Sequence, residues 1–437
     1  MSTPSFSRLG TANTYDAARS HLLERQTALS NLQEQLTSGK RVNTASDDPT
    51  AAAQAERAMT RIGRIQADQR ALESQRDSIT QAEGTLGDVT SAMQRVRELV
   101  VTAGNGVNTS SDRTTIAGEL QSLRDQIFAL ANRKDTNGQP LFGALASALT
   151  PFVGPQAVAP DYKFNGLPGQ LASSEVSIPF ALDGDSAFMH QPARDGVFNV
   201  SVSTIPTNRT LTTNNVVVTN QATVAATGTA AAATLPAPGV PYPAYSIGFT
   251  AVDTTTTPGT TTLTYSITET PSVTPLGAPA PFAPVTISYP SATAGPITGI
   301  PGLSFSITGT PAVGDTLTIG ERPSVFSVLD DAIKNIKGAV NNNAATQAVS
   351  QALNNIDIGM SRISAVRGQA GELLNRADSI TNNQSKRSIQ LEGARSRAED
   401  LDMVKGISDF QNQQTGFQAA LQSYAQVQKL SLFNYIS

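Results

Sequence analysis

The chain has 437 residues, a formal net charge of −4 and a sequence pI of about 5.4. That length exceeds a single ordinary core and predicts roughly two to four domains. The absence of cysteine excludes disulfides, thiolate metal sites and cysteine nucleophiles together. Lys and Arg are scattered along polar helix faces with no basic run, so composition argues against nucleic acid as a partner.

The chain opens with MSTPSFSRLGTANTYDAARSHLLERQ. It has no basic region followed by an apolar core and a small-residue cleavage site, so no cleaved secretory signal is expected. No run of about 18 apolar residues occurs, so no membrane span is expected. From Tyr15 the pattern becomes helical. Tyr15, Leu22, Leu29 and Leu36 lie seven apart, with Leu32 on the same side. A repeat of seven marks a narrow apolar seam that a helix buries against another helix.

SGKRVNTASDDPTAAAQ interrupts this helix at Gly39. Helix restarts with Ser46 or Asp48 as N-cap and Pro49 in the first turn. It can then run to Ala103, where Gly104-Asn105-Gly106 stops it. Its seam is Ile65, Leu72, Ile79, Leu86, Met93 and Val100, seven apart, with Ala82, Val89, Val96 and Ala103 alongside. Such a helix would be ~80 Å long. A shorter amphipathic helix follows, with Ile116, Leu120, Leu123, Ile127 and Leu130, and Asn137-Gly138 makes a turn.

Residues 150–322 change character. No Lys occurs between Lys163 and Lys334, and between Asp195 and Glu269 the only charged side chains are Arg209 and Asp253. TTLTYSITET, APVTISYP and GLSFSITGT alternate in the manner of strands. One or two small β domains are expected here, inserted into a helical rod; a disordered, mucin-like spacer is the alternative. ATVAATGTAAAATLPAPGVP, nearly low-complexity, reads as a flexible connection.

Helix returns from residue 324. Leu329, Ile333, Ile336 and Val340 form one stripe, broken near Asn341–Asn343. A second contains Val349, Leu353, Ile356, Met360 and Ile363 and continues through Ala370, Leu374 and Ala377. Last come Met403, Phe410, Phe417 and Tyr424, again seven apart, with Leu421 adjacent. Neither terminal seam can be buried alone, so the first helix is expected to pair with the last. The fold class is α+β and multidomain: an antiparallel helical bundle or coiled-coil rod from both chain ends, with inserted all-β domains. The expected division is 1–42 with 404–437 as a terminal coiled-coil assembly domain, 45–145 with 324–403 as the rod, and 150–322 as the β insertion. Leu421 and Phe417 are expected to face Leu29 and Leu32, and Gly39 and Gly406 to act as hinges.

A search for chemistry finds little. His21 and His190 are isolated and read as surface histidines. Asp47-Asp48, a carboxylate pair on paper, sits where a helix N-terminus wants capping oxygens. Asp183-Gly184-Asp185 lacks the later ligands of a calcium loop. NGLPGQ, from Asn165 to Gln170, is a turn. Phe410, Phe417, Tyr424 and Phe433 have helical spacing without interleaved Arg, which favours a helix seam over base stacking. No catalytic residue, cofactor or metal is expected.

SGKRVNTASDDPTAAAQA resembles the N-terminal signature of the family of flagellins and hook-associated proteins. RDQIFALANRKDTNGQPLFGA looks like the segment closing that family's first helical hairpin. Leu141-Phe142-Gly143 and the C-terminal LSLFNYIS are similar to the hook–filament junction branch, and GLSFSITGTPAVGDTLTI to a strand–turn–strand of the family. The resemblance implies a non-enzymatic, extracellular subunit of the bacterial flagellum, exported unfolded by the type III route without a cleaved signal. It implies a homo-oligomeric ring between the preceding hook-associated junction protein and flagellin, and a cytoplasmic export chaperone on the C-terminal helix, with neither nucleic acid nor membrane as partner. The alternatives are flagellin itself, the bulk filament subunit, and a fibre or adhesin with a binding β head.

Overall fold

A computed structural model describes residues 11–145, 150–157, 161–204, 211–234, 243–270 and 282–436. The chain divides into two compact units, Met1–Arg70 with Ile380–Ser437, and Ala71–Ser379.

The first unit contains α1 (Thr11–Ser38), the start of α2 (Pro49–Ala103), and, beyond the second unit's elements, the close of one long helix and the last helix of the chain. Gly39 ends α1 at φ +72°, a left-handed conformation open to glycine at little cost. Asp48 caps α2: its carboxylate accepts from the amides of Ala51 (3.0 Å) and Thr50 (3.2 Å). These bonds, the Ala51 amide first and then Thr50 and Arg41, hold the Asp48 carboxyl down at about 2. Asp47 accepts from the amides of Thr44 (2.8 Å) and Asn43 (3.0 Å), which lowers it too and folds the loop back before the helix. The pair is a capping device.

The second unit begins with the rest of α2 and α3 (Ser110–Ala131), which starts in a reciprocal capping box between Thr109 and Asp112. From there to residue 197 the described residues are mostly irregular. They hold the two-residue strands β1 (Phe152–Val153) and β2 (Lys163–Phe164) and the short helices α4 (Gly184–Phe188) and α5 (Pro192–Asp195). The described residues between 150 and 197 thus contribute no strand to the larger β sheets; β1 and β2 pair only with each other. Phe152, Tyr162 and Phe188 from this segment pack with Phe326, their ring centroids 5.2–5.8 Å away from it. Phe128 of α3 closes the cluster, 5.1 Å from Phe326. Tyr162 also donates to Asp330 (2.6 Å), which pairs with Arg124 (2.8 Å).

The β elements are β3 (Phe198–Ser203), β4 (Thr212–Thr213), β5 (Val217–Val218), β6 (Ala244–Asp253), β7 (Thr260–Thr270), β8 (Phe282–Pro290), β9 (Gly295–Ile297), β10 (Leu303–Thr308) and β11 (Thr316–Glu321). They form a five-stranded antiparallel sheet, β3-β11-β6-β7-β8, and a smaller sheet in which β10 pairs with β4, β5 and β9. Ile247, Tyr265 and Ile319 of the larger sheet share one core with Ile297, Phe305 and Ile307 of the smaller. One core means one β domain. Its entry and exit strands are neighbours: Phe198 of β3 lies opposite Glu321 of β11.

The alanine-rich stretch read above as a flexible connection contains a helix, α6 (Gln221–Thr234). Alanine has the highest intrinsic helix propensity, and Val224 fixes the helix by burial in the β core. After the sheet come α7 (Val325–Lys337), capped by Ser324, and α8 (Asn342–Glu399). Val340 lies beyond the end of α7 and is 67% exposed, so that stripe stops at Ile336. Within the second unit α2 and α8 are bridged by Arg97–Asp357 (2.9 Å), Arg367–Glu83 (2.7 Å) and Arg76–Asp378 (3.5 Å). These are half-exposed pairs, each worth ~0–1 kcal/mol. The apolar seam supplies most of the stability.

Candidate assembly seam at the terminal helices

The final helix is α9 (Met403–Ile436), capped by Asp402, which accepts from Val404 (3.1 Å) and Lys405 (3.2 Å). It packs against α1. The direction follows from side-chain neighbours. A Cβ on Gly406 would lie 3.2 Å from Leu36, and one on Gly416 would lie 2.6 Å from the Arg25 guanidinium. Leu22 and Leu23 line one pocket with Phe417, Leu421 and Tyr424. The helices are therefore antiparallel. Phe417 and Leu421 meet Leu22, one heptad away from the Leu29–Leu32 pairing expected above. A seven-residue repeat is compatible with any shift of seven, so spacing alone cannot choose the register.

The seam is only partly covered. Leu22, Leu29, Leu32, Leu36, Phe410, Phe417 and Tyr424 are half-buried. Met403 and Leu421 are 45% and 44% exposed. Tyr15 lies within α1 and Phe433 within α9, but their side chains fall outside the described residues, as do those of the C-terminal LSLFNYIS. Among the described side chains no residue of α1 is buried, and in α9 only Gly406 is. The pocket between the helices, lined also by Arg19 and Gln26, has a volume of about 300 Å³. One helix packing on one other covers less than half of its circumference. The remaining apolar edge is left for another surface.

The rod residues contrast with this. Ile79, Leu86, Met93, Val100 and Ile127 have no exposure, and Leu72 and Leu120 have 2%. Ile65, in the first unit, is also buried, while Leu123 is half-buried.

A strap in the first unit joins the two places where helices break. The amides of Arg41 (2.7 Å) and Val42 (3.3 Å) donate to the Glu399 carbonyl, and the Leu401 amide donates to the Gly39 carbonyl (3.0 Å). The Arg41 guanidinium reaches the Ala398 carbonyl (2.9 Å), and Lys40 pairs with Glu399. Val42, Ala51, Ala55 and Ala398 form a small core beneath. Gly406 is no hinge. It sits inside α9, where a Cβ would lie 2.9 Å from Leu401, so its smallness serves close approach. The break itself falls at Asp400–Asp402.

His190 corrects the surface reading. It is 6% exposed, its Nδ1 lies 3.2 Å from the Arg322 carbonyl, and its amide donates to the Pro323 carbonyl (2.7 Å). Burial pushes it down from 6.5 to about 4, with the Asp195 carboxylate opposing the shift. An isolated histidine carries no local sign of burial, which arises here from contacts remote in sequence. Asp183 accepts from the Asp185 amide (3.1 Å) and caps α4, a structural role for that acidic pair. Among the described residues no helix is long and apolar enough to cross a membrane.

Comparison with known proteins agrees with this architecture. The family described as bacterial flagellin N-terminal helical region matches residues 10–146, and bacterial flagellin C-terminal helical region matches 353–436. Flagellar hook-associated protein 3 of Salmonella typhimurium is 36% identical over 149 residues, 33% of this chain and 46% of that protein. That of Escherichia coli K12 is 38% identical over 123 residues, 27% and 38%. The Phase 1 flagellin of Salmonella naestved is 38% identical over 122 residues, 28% and 24%. The match thus spans less than half the length of these relatives. Among solved structures, flagellar hook associated protein-3 of Legionella pneumophila superposes with a TM-score of 0.56 at 25% identity, covering 78% of this chain and 99% of that one. FlgL of Xanthomonas campestris gives 0.55 at 22%, with the same coverage. With both helical regions of one family matched across just over half of its length, at its two ends, the chain belongs to the flagellin family.

Proposed function

We propose that this protein is a non-enzymatic structural subunit of the bacterial flagellum, forming a ring at the junction of hook and filament. The observation that carries the reading is the seam of α1 and α9: paired, apolar, in register and half-covered. A lone subunit leaves this seam wet, and packing against neighbouring copies buries it. Short isolated helix pairs are marginal in water, so the seam orders on assembly and assembly becomes cooperative. The relatives named hook-associated protein 3 support the junction in preference to the bulk filament. The partners proposed are further copies of the chain, the preceding hook-associated junction protein and flagellin. The terminal domain of residues 1–42 with 404–437 makes these contacts. An export chaperone holds the C-terminal helix in the cytoplasm, and export uses the type III route without cleavage.

A deletion strain tests this. It should build hooks, lack filaments and release flagellin into the medium, and a plasmid copy of the chain should restore attachment. In sheared wild-type flagella the chain should be a trace component. A dominant band would assign it to the filament instead.

A further inference from the structure

Arg57, Arg61 and Arg64 stand at positions i, i+4 and i+7 of α2, so their side chains share one face of the helix. All three are exposed. Among the described residues no carboxylate pairs with any of them, and the only bond of the three is from Arg57 Nε to its own helix, at the Ala53 carbonyl (3.0 Å). Like charges three and four apart repel and weaken a helix. In the other unit Arg76, Arg97 and Arg367 each meet a carboxylate on a neighbouring helix. Lys386 and Arg397 of α8, in the same unit, are likewise exposed and without a carboxylate partner among the described residues.

The two units differ in charge. Residues 1–70 with 380–437 contain 15 Lys and Arg against 12 Asp and Glu; residues 71–379 contain 16 against 23. The acidic unit has its own pair of carboxylates, Glu73 and Asp77, exposed, four apart on α2 and in no ion pair among the described residues, since the nearby Arg76 turns to Asp378. A four-residue spacing of arginines thus has a four-residue spacing of carboxylates to meet.

We propose that the Arg57–Arg61–Arg64 face docks on the acidic unit of another copy of this chain, with Glu73 and Asp77 on the receiving surface. This rests on the reading of the chain as a self-assembling subunit and names the surface that joins the copies. A polyanion fits less well. The net charge of the chain is −4, and no aromatic residue interleaves with the arginines. Ion pairs across such an interface fix register and suppress wrong pairings.

A charge swap in the deletion strain tests the surface. R57E/R61E/R64E and E73R/D77R should each release flagellin at least ~10-fold above wild type, and the five substitutions together should return it to within ~2-fold, because every copy then carries both reversed surfaces. R57Q/R61Q/R64Q, which adds no repulsion, should fall between. Each purified variant should melt as wild type does, which separates lost docking from lost folding. Full attachment by R57E/R61E/R64E overturns the proposal, as does failure of the combined variant to improve on the single sets. If the single sets instead lose binding to DNA or to anionic vesicles and the swap restores nothing, the face is a polyanion site and the proposal fails. If the wild-type chain does not restore attachment, the junction reading fails first and this inference with it.

Discussion

Leu421→Asp separates the stability of the subunit from that of the assembly. Leu421 lines the pocket between α9 and α1 with Leu22, Leu23, Phe417 and Tyr424, yet keeps 44% of its surface exposed. Full burial of a leucine contributes ~1.5–3 kcal/mol, so slightly more than half of this, ~1–2 kcal/mol, is at stake in the lone chain. An aspartate there retains much of its hydration, and Arg19 lines the same pocket. The monomer should lose ~1–2 kcal/mol, confined to the α1–α9 pair, with the melt of the buried rod unchanged. In the proposed ring the pocket would be covered. Burying a carboxylate without a partner then costs several kcal/mol, and each ~1.4 kcal/mol is a factor of ten in the assembly equilibrium. Circular dichroism melts of the monomer and flagellin shed into the medium read the two effects separately. A rod melt that falls as far as for a core leucine would show α9 to be part of the core. Normal filament attachment would show that nothing covers the pocket.

Leu86→Ala, at a position with no exposure, should cost ~2–5 kcal/mol in a chemical denaturation of the monomer, and an unchanged midpoint would refute the buried rod. His190 gives the subunit an acid-sensitive component: the native state keeps it neutral down to about 4, whereas an unfolded chain takes up the proton below its ordinary 6.5. Its contribution is therefore present above pH 6.5 and falls away as pH drops towards 4, at up to ~1.4 kcal/mol per pH unit. Across that window the stability of wild type minus that of His190→Gln should decline with falling pH, and a constant difference would refute the assignment. Replacing residues 199–320 with a short Gly/Ser linker should leave a cooperative helical melt, since Phe198 and Glu321 are register neighbours. Extending the deletion to 150–322 should abolish it by removing Phe152, Tyr162 and Phe188 from the cluster around Phe326. Equal melts for the two deletions would mean that the aromatic cluster is dispensable.

Periodicity made the helices legible. The ends of α2 at Pro49 and Ala103 and the stop of α1 before Gly39 follow from a capping aspartate, a proline in the first turn and glycines after the last seam residue. Alternation likewise located β7, β8 and β10. What the sequence hides is whatever depends on contacts remote in the chain. Residues 150–197 carry turn signals throughout, but their aromatics are called inward by Phe128 and Phe326, which lie in distant helices. His190 is buried for the same reason. The α1–α9 register was hidden by a different cause, the degeneracy of a heptad repeat, and the contacts of Gly406 and Gly416 resolve it.

In the segment from Ser38 to Pro49, Gly39 and Arg41 each meet a local and a distant demand at once. Gly39 supplies the left-handed turn that stops α1, and its carbonyl accepts the Leu401 amide. Arg41 pairs with Asp48, the cap of α2, and reaches the Ala398 carbonyl near the end of α8. Val42 donates to Glu399 and buries its side chain against Ala398. The backbone bonds between 39–42 and 399–401 hold the two helix breaks to each other. The roots of α1 and α9 are thereby held side by side. A seam that orders on assembly gains from this, since two arms tied at their roots lose less conformational freedom on pairing than two separate helices would. Such an arm, half-exposed in the subunit, would be covered by its neighbours in the proposed ring.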